Sequence, residues 1–490
     1  MSFEKRKTVT TPGGIIGEKI VIEQVVVNGS PFYAIKRGDS EAKLQSNFEV
    51  GGVIYYPLDK CPWKAPGEPL DYGSEEELFK EIRDFVYEHV DIAKDERFYD
   101  VLATWIMADW VQELFNNAPY IHFNGPSNSG KSRGLEVLQH LGFRALLSPS
   151  VSPASLYRTI EAFKPTFLID EAELYTAKGL DEAKREVLSV LNAGYRRGQF
   201  VIRADKKGET LQLFDVFGFK GLASIQPLPP TLAGRAIRIP MMRATRKVKR
   251  WIDEDSAYKI RSKLLMFRFK HVLEKPKEGV NPVDVPDGRI VEVFTPLVLV
   301  APNPKVEAAL TSLAKELFEE IVEEELETEQ AQVFLAVLDC MKEGKTDLLE
   351  VAEITEKYNE GRPKNEQITK NYCGRILSTL GFKKKRTKTG NRRIAVVLDQ
   401  DLINRLKIRY GIVEQKTLTQ PAPQVTLTKE NVEKVFEALA NASKLRGSAT
   451  TEEVAMEAKL PVEVVKACLE ALQREGRVYQ PFPDWWKLRR

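Results

Sequence analysis

The chain has 490 residues, of which 43% are hydrophobic and 29% are charged, and its formal net charge is +3. This composition excludes an intrinsically disordered protein, and the length predicts about three to five domains. No apolar run approaches the ~20 residues of a membrane helix, and the first residues lack the apolar centre of a signal peptide. We therefore expect a cytoplasmic protein with no membrane partner.

The four cysteines, Cys61, Cys340, Cys373 and Cys468, lie far apart in the sequence. They form no C-x-x-C pair and have no neighbouring histidine. Structural zinc sites need closely spaced ligands, and disulfide frameworks need an oxidising compartment. We therefore predict ordinary reduced thiols.

Residues 1–72 are predicted to form a small β-rich domain. Apolar and polar residues alternate in this part, and Asn28-Gly29 is typical of a tight hairpin turn. A helical bridge is expected at 73–118. Its first helix begins at a capping box, Ser74 with Glu77, and its second helix is almost entirely apolar and should be buried.

Residues 119–245 alternate short apolar strands with helical stretches, which is typical of a parallel α/β sheet with crossover helices. The strands are expected at YIHFN, RALLS, TFLID, GFKGLASI and AIRIP. Residues 246–327 are predicted to be a largely helical lid, interrupted by a Pro- and Gly-containing segment. Two units then end the chain, each predicted as three helices and a hairpin, the order of a winged helix. They span 328–412 and 428–490, on either side of a linker at 413–427.

The segment GPSNSGKS matches the pattern G-x-x-x-x-G-K-[ST] and lies between a predicted strand and a predicted helix. Glycines let backbone N–H groups surround phosphates, Lys131 reaches the β- and γ-phosphate oxygens, and Ser132 supplies an oxygen to Mg²⁺. The sequence therefore predicts an ATP site with Mg²⁺. The alternative, a glycine turn without a ligand, is disfavoured by the flanking strand and helix. The predicted ATP-binding residues are Gly125, Pro126, Ser127, Asn128, Ser129, Gly130, Lys131 and Ser132.

A second motif follows where the apolar run TFLID ends in Asp170 and Glu171. Such a run is common by itself, but after a P-loop it predicts a site of hydrolysis. Asp170 is placed to hold Mg²⁺ together with Ser132, and Glu171 to polarise the attacking water. A pure nucleotide switch has no need of a base there.

The stretch from Ala193 to Arg238 begins AGYRRGQFVIR and ends PLPPTLAGRAIR. Its order resembles that of AAA+ ATPases, most closely the MCM-like and superfamily 3-like helicases of archaea and mobile elements. The resemblance extends over roughly 95–400 and weakly over the final winged helix. It implies an AAA+ P-loop core with helices on both faces of the sheet, beside the β-rich domain and the two winged helices.

The same resemblance implies roles for four residues. Gln226 ends GLASIQ at the polar sensor position, where the family usually has Asn. Arg235 matches the arginine that points into the neighbouring subunit's site, with Arg238 as a second candidate, and Arg289 resembles the lid arginine called sensor 2. An arginine finger can be worth about 10³–10⁵-fold in rate, and one that acts in trans requires an oligomer. A surface salt bridge is the alternative for each arginine.

A β-hairpin is predicted between QFVIR and TLQLF, with a Lys-Lys-Gly tip. In MCM-like proteins the corresponding hairpin lines the central pore and its lysine contacts DNA. Lys206 and Lys207 are therefore candidates for phosphate contacts, and a solvated turn is the alternative.

The segment KKKRTKTGNRR is predicted to be the wing of the first winged helix, with seven basic side chains in eleven positions. Such a patch gives salt-sensitive affinity for nucleic acid, although a charge run is also typical of a solvated face. In the last domain, Tyr479, Trp485 and Trp486 either stack on bases or pack on their own helices, and packing is favoured. The predicted DNA contacts of the wing are Lys383, Lys384, Lys385, Arg386, Lys388, Arg392 and Arg393.

These observations predict a ring-forming AAA+ DNA helicase or translocase that acts on single-stranded or forked DNA. We expect a homo-hexamer in the replication of a plasmid, virus or integrated element, with priming left to a separate protein. One alternative is an ATP-dependent origin-binding initiator or helicase loader, which shares nearly all the motifs. The other is a winged-helix regulator with ATP as assembly switch, which Glu171 disfavours.

Overall fold

The structure is a computed structural model. The chain folds into two compact units, Met1–Ile321 and Val322–Arg490. The predicted boundaries at 72/73, 118/119 and 245/246 all fall inside the first unit. The residues that the structure describes are 7–92, 95–149, 151–172, 182–204, 210–274, 281–342, 347–386, 393–412, 429–443, 449–460, 462–474, 477–482 and 485–488.

The N-terminal strands are β1 (Lys7–Thr10), β2 (Gly13–Ile16), β3 (Ile20–Val27), β4 (Ser30–Arg37), β5 (Lys43–Gln45), β6 (Phe48–Val50) and β7 (Val53–Tyr56). They form two small sheets, with the orders β1-β7-β6 and β2-β3-β4-β5. The predicted hairpin turn joins β3 to β4, and Asn28 and Gly29 have φ values of 50° and 79°. Positive φ at both central residues is what a type I′ turn requires.

Two helices form the bridge to the central sheet, α1 (Glu75–His89) and α2 (Arg97–Trp110). The predicted capping box is present: the Glu77 amide donates to Ser74 Oγ at 3.2 Å, and the Ser74 amide donates to the Glu77 carboxylate at 2.9 Å. Helix α2 is buried almost throughout, as its apolar sequence predicts.

The central elements are β8 (Tyr120–Asn124), α3 (Lys131–Leu141), β9 (Leu146–Ser148), α4 (Pro153–Phe163), β10 (Phe167–Ile169), α5 (Glu182–Ala193), β11 (Phe200–Ala204), β12 (Leu211–Asp215), β13 (Lys220–Ser224), α6 (Pro230–Ala233) and β14 (Ala236–Pro240). Five of the strands form the predicted parallel sheet, in the order β14-β8-β13-β10-β9. All five carboxyl ends therefore lie at one edge, where open α/β sheets bind ligands. Strands β11 and β12 form a separate antiparallel hairpin.

Three helices follow the sheet, α7 (Glu254–His271), α8 (Gly288–Leu299) and α9 (Pro304–Leu326). Helix α7 packs on α1, α2 and α3. Among the described residues, no helix combines the length and apolar character that crossing a membrane requires.

A buried ion cluster joins the N-terminal strands to the rest of the first unit. The Glu23 carboxylate on β3 lies 2.5 Å from Arg144 and 2.9 Å from Arg268, and Arg268 also binds Glu113 at 2.6 Å. Because burying one unpaired charge is costly, these groups stabilise the fold only together. The N-terminal strands therefore belong to the same compact body as the sheet.

The first part of the second unit contains α10 (Glu329–Lys342), β15 (Leu348–Glu350), α11 (Val351–Asn359), α12 (Lys370–Thr379), β16 (Lys384–Arg386), β17 (Ile394–Val397) and α13 (Gln400–Arg409). Its strands pair in the order β15-β17-β16. These elements follow one another in the order helix, strand, helix, helix, hairpin. They surround a hydrophobic core of their own.

The last part repeats that order with α14 (Lys429–Ala442), β18 (Ala449–Thr450), α15 (Thr451–Ala458), α16 (Val462–Arg474), β19 (Val478–Phe482) and β20 (Trp485–Leu488). Trp486 is buried and its Nε1 donates to Thr451 Oγ1 at 3.0 Å, so this ring packs within its own domain. Tyr479 is exposed. All four cysteines are free thiols, and three of them are buried.

Candidate nucleotide-binding site

The predicted P-loop connects β8 to α3 at the carboxyl edge of the sheet. Gly130, directly before α3, has a φ of 90°, a left-handed conformation that glycine adopts without strain. A Cβ on Gly125 would lie 2.1 Å from the Met241 carbonyl oxygen, and one on Gly134 would lie 2.7 Å from the Phe123 ring. These glycines let the loop and helix approach the neighbouring strands closely.

The Lys131 side chain turns back over this loop. Its amino group donates to the carbonyl oxygens of Gly125 at 2.9 Å and Pro126 at 2.7 Å. Ser132 is exposed in the first turn of α3. The buried Ser129 hydroxyl has no hydrogen-bond partner among the described residues. An orphan buried hydroxyl is costly, so the loop fits a ligand that supplies acceptors, such as phosphate oxygens.

Asp170 and Glu171 follow β10 at the same edge. Ile169, the last residue of β10, pairs with Leu222 of β13, which in turn pairs with His122 of β8. The two carboxylates therefore leave the sheet level with the end of β8, where the P-loop begins. Asp170 accepts a hydrogen bond from the Glu171 amide at 2.9 Å.

Glu171 has a φ of 53°, which is unusual for a residue with a side chain. This conformation costs about 1–3 kcal/mol and is found most often where function requires it. The Glu171 side chain is exposed and that of Asp170 is half-buried. Residues 173–181, directly beyond, lie outside the described residues.

A polar network ties the end of β8 to the loop after β13. The Asn124 amide donates to the carbonyl oxygens of Ser224 at 3.2 Å and Ile225 at 3.1 Å. The Ser224 hydroxyl lies 2.7 Å from His122 Nε2 and donates to the Gln226 carbonyl oxygen at 2.5 Å. Burial lowers the pKa of His122 to about 4, with a further contribution from Arg238, so the ring is neutral at pH 7. The Gln226 side chain itself is exposed.

The two finger candidates lie at different levels of the sheet. Arg238, within β14, donates from Nε to Asn124 Oδ1 at 3.2 Å, beside its own P-loop. Arg235 precedes Ala236, which pairs with Tyr120 at the amino end of β8. Arg235 is therefore level with Pro119, six residues before Gly125. In extended strand this is about 20 Å, which is beyond the reach of one arginine side chain.

Arg289 lies with Arg235 at the amino edge. Both guanidinium groups lie over the Tyr195 ring, at 5.7 Å for Arg235 and 5.8 Å for Arg289. The Glu292 carboxylate pairs with Arg289 at 3.1 Å and with Arg196 at 2.6 Å. The structure thus gathers three arginines around one carboxylate and one phenol ring.

This cluster carries more positive than negative charge. Burial, and then the neighbouring Arg289, lowers the pKa of Arg235. Arg235 Nε is buried without a hydrogen-bond partner among the described residues. Such a cluster is suited to bind an anion.

The predicted DNA contacts fall on two hairpins. Strands β11 and β12 are antiparallel as predicted, but Lys206 and Lys207 lie outside the described residues. In the wing, β16 pairs with β17, and Lys388 and Arg392 likewise lie outside the described residues. Arg393 pairs with Glu350 at 3.0 Å. The exposed basic side chains of the described wing are Lys383, Lys384, Lys385, Arg386 and Arg393.

Three residues of these sites were not predicted from the sequence: Asn124, Arg196 and Glu292. Asn124 was detectable, since a polar side chain directly before Gly125 ends an otherwise apolar strand. Arg196 and Glu292 come together only through the packing of α8 beside Tyr195, and their separation along the chain gives no signal.

No protein-family model matches the sequence, and the comparison with curated proteins finds no match. Solved structures give distant similarities. The C-terminal region of NrS-1 is 12% identical with a TM-score of 0.34, covering 77% of this chain and 96% of that one. JCV helicase is 12% identical with a TM-score of 0.22, covering 50% of this chain and 61% of that one. Aeropyrum pernix ORC1, in complex with DNA, is 12% identical with a TM-score of 0.21, covering 66% and 94%.

Proposed function

We propose that this protein hydrolyses MgATP at the P-loop and uses the energy as a ring-forming DNA helicase or translocase. The proposal rests on one observation: Lys131, Asp170 and Glu171 all lie at the carboxyl edge of the same parallel sheet. A phosphate-binding loop beside two carboxylates is the arrangement that phosphoryl transfer to water requires.

In the proposed reaction, the Lys131 amino group leaves the two loop carbonyls and binds the β- and γ-phosphate oxygens. Ser132 and Asp170 hold Mg²⁺, which when bound neutralises charge on those phosphates. Glu171 accepts a proton from a water molecule as its oxygen attacks the γ-phosphorus. The bond to the β,γ-bridging oxygen breaks, and ADP leaves with the electron pair. Gln226 and Asn124 are proposed to orient the water or the γ-phosphate.

Arg235 is proposed to serve a second copy of the chain. It cannot reach its own P-loop, about 20 Å away along the sheet. Arg289 and Arg196 lie in the same cluster as Arg235. They would act with Arg235 on the phosphates bound by the neighbouring copy. Arg238, beside Asn124, would act on its own site. A head-to-tail contact of this kind closes into a ring, for which we propose a hexamer.

The outer face of the β11–β12 hairpin supports the same contact. Four large apolar side chains on this face are exposed, although a two-stranded sheet is rarely stable with a bare apolar face. The hairpin begins four residues after Arg196, so the face and the arginine cluster are adjacent along the chain. We propose that a second copy covers it. The side chains are Phe200 (47% exposed), Ile202 (54%), Leu211 (70%) and Leu213 (56%).

DNA is proposed to contact the hairpin tip at Lys206 and Lys207 and the wing of the second unit, whose two parts we propose as winged helices. Hydrolysis would move the hairpins along a strand held in the ring. Replication of a plasmid, virus or integrated element, with a separate primase, is the proposed setting. The initiator or loader remains the second candidate, because wing and P-loop serve it equally well.

Strand displacement on forked DNA tests this proposal, with wild type compared against Glu171→Gln and against Lys206→Ala combined with Lys207→Ala. We expect Glu171→Gln to lose both ATPase and unwinding, because the amide cannot accept the proton of the attacking water. The hairpin variant should lose unwinding and keep its basal ATPase. A wild type that hydrolyses ATP and binds the fork without unwinding it would favour the initiator or loader.

A further inference from the structure

A basic strap runs from the P-loop to the start of α7, and the function proposed above leaves it without a role. The strap is Met241–Asp253, MMRATRKVKRWID, an irregular segment directly after β14. Its first residue forms one wall of the P-loop: the Met241 amide donates to the Asn124 carbonyl oxygen at 2.7 Å. A Cβ on Gly125 would lie 2.1 Å from the Met241 carbonyl oxygen.

The strap is fastened along its length to the end of α1. Asp91 accepts from the amides of Thr245 at 2.6 Å and Arg246 at 3.2 Å, and the Lys249 amide donates to the Glu88 carbonyl oxygen at 2.8 Å. The Asp253 amide donates to His89 Nε2 at 3.2 Å. These bonds fix the backbone of the strap, so its outward-facing side chains are held in place.

The P-loop helix itself holds the far end of this strap. Arg133, two residues after Lys131, donates from Nη2 to the Arg250 carbonyl oxygen at 2.6 Å. Trp251 directly follows Arg250, the residue whose carbonyl oxygen Arg133 binds. The strap therefore contacts the loop at Met241 and the helix of the loop at Arg250.

Trp251 is far more exposed than a tryptophan normally is. Its side chain is 76% exposed, and the Arg250 guanidinium lies 5.3 Å from its ring centroid on one side. The ring is a large apolar surface in contact with water, and a stacked base would cover it. Met242, next to the P-loop wall, is 47% exposed.

The charges of the strap suit a nucleotide. Arg246 and Lys249 are paired, with Asp91 and with Glu88 respectively. Three other cations have no ion pair within the described part of the chain and are available to an anionic ligand: Arg243, Lys247 and Arg250. Flat aromatic surface combined with unpaired cations is the chemistry that binds a base and its phosphates together.

We infer that the strap is the nucleobase subsite of the P-loop, with Trp251 stacking on the base of the bound nucleoside triphosphate. The inference rests on the proposed ATP site and assigns the part of the ligand that the P-loop does not contact. DNA is disfavoured as the occupant because Met241 and Arg133 join the strap directly to the P-loop and its helix.

Calorimetric binding separates the base from the phosphates, with MgATP and Mg-tripolyphosphate as the two probes. Wild type is compared with Trp251→Ala, Trp251→Phe and Lys131→Ala. A stacked base contributes enough that Trp251→Ala should weaken MgATP about 10- to 100-fold. Tripolyphosphate affinity should stay within about twofold of wild type, because Trp251 contacts no phosphate. Trp251→Phe retains an aromatic face and should retain most of the affinity.

Tyr56→Ala, which removes another exposed aromatic ring (41% exposed) far from the P-loop in sequence, is the matched control and should bind MgATP as wild type does. Quenching of tryptophan emission by MgATP should occur in wild type and decrease in Trp251→Phe.

Three results would overturn the inference, and they differ from one another. If Lys131→Ala loses both probes while Trp251→Ala binds MgATP normally, the ATP site stands and the base lies elsewhere. If Trp251→Ala weakens only single-stranded oligothymidylate, Trp251 is a DNA contact. If wild type binds neither probe, the proposed ATP site itself fails.

Discussion

Two lysines at opposite ends of one sheet illustrate how position decides what a single residue does. Lys131 is half-buried and turned toward loop carbonyls that a phosphate can replace. Lys220, at the amino end of β13, is fully buried, and its Nζ donates to the carbonyl oxygens of Gly218 at 2.8 Å and Val216 at 3.2 Å. Burial lowers the pKa of Lys220 to about 7, with Asp215 acting in the opposite direction. Lys220 therefore fastens the turn between β12 and β13.

Lys220 predicts a pH-dependent stability. Between about pH 7 and pH 10.5 the unfolded chain binds a proton at this lysine that the folded chain lacks, so the free energy of unfolding rises with pH. The slope from one group is at most ~1.4 kcal/mol per pH unit. Urea unfolding at several pH values should show a shallower rise for Lys220→Met than for wild type. Lys305→Met, an exposed lysine, should keep the wild-type slope; equal slopes in all three proteins would contradict the prediction.

Among the elements, the β16–β17 hairpin is the one that we propose as a wing that binds nucleic acid. Lys384, Lys385 and Arg386 form β16, and all three are exposed. None of these three has an ion pair within the described residues, whereas Arg393 is partly neutralised by Glu350. Three unpaired cations on one strand form an extended positive surface, which suits the regular spacing of phosphates.

Replacing Lys384, Lys385 and Arg386 by alanine should weaken DNA binding uniformly across sequences. Each lost phosphate contact should reduce the slope of log affinity against log salt concentration by about 0.7–0.9. Fluorescence anisotropy at several salt concentrations measures this slope. The control removes three exposed lysines of the first unit, Lys259, Lys305 and Lys315. An unchanged slope in the wing variant would place DNA elsewhere.

At the scale of the whole molecule, the sheet separates two groups of residues that the proposed reaction uses together. The phosphate loop and the carboxylates lie at its carboxyl edge, and Arg196, Arg235 and Arg289 lie toward its amino edge. Because the two edges lie at opposite ends of the strands, the role proposed for Arg235 requires a second copy of the chain. The buried Glu23–Arg144–Arg268 cluster joins the N-terminal strands to this body.

A mixing experiment tests the second copy directly. Lys131→Ala and Arg235→Ala should each lose ATPase activity. The first variant lacks the amino group that binds the phosphates, and the second lacks the arginine proposed to act on the neighbouring copy. Mixed in equal amounts, they should regain about a quarter of wild-type activity, the share of head-to-tail contacts in which both residues are intact. A steady-state ATPase assay measures this recovery.

The matched control mixes Lys131→Ala with Glu171→Gln. Both of these changes damage the same chain's site, so the mixture should stay inactive. No recovery in the first mixture would mean that Arg235 acts within its own chain or has no catalytic part.

The sequence alone determined the elements and motifs that depend on local geometry. The P-loop, the Asp170–Glu171 pair, the Asn28-Gly29 turn and the Ser74–Glu77 capping box each arise from a few neighbouring residues. Their backbone angles and hydrogen bonds are set by the local residues, so a short pattern specifies them. The parallel sheet was predictable for a related reason, since buried apolar strands alternating with helices have few other ways to pack.

Only the tertiary structure decided which distant residues share an edge. Strand order and register place Arg235 at the amino edge and Arg238 beside Asn124, although the two arginines are three residues apart. The packing of α8 brings Arg289 and Glu292 to Tyr195, and the strap places Trp251 near the P-loop helix. These contacts join residues tens to hundreds of positions apart, and their free energy comes from burial and pairing across the fold, which no local pattern records.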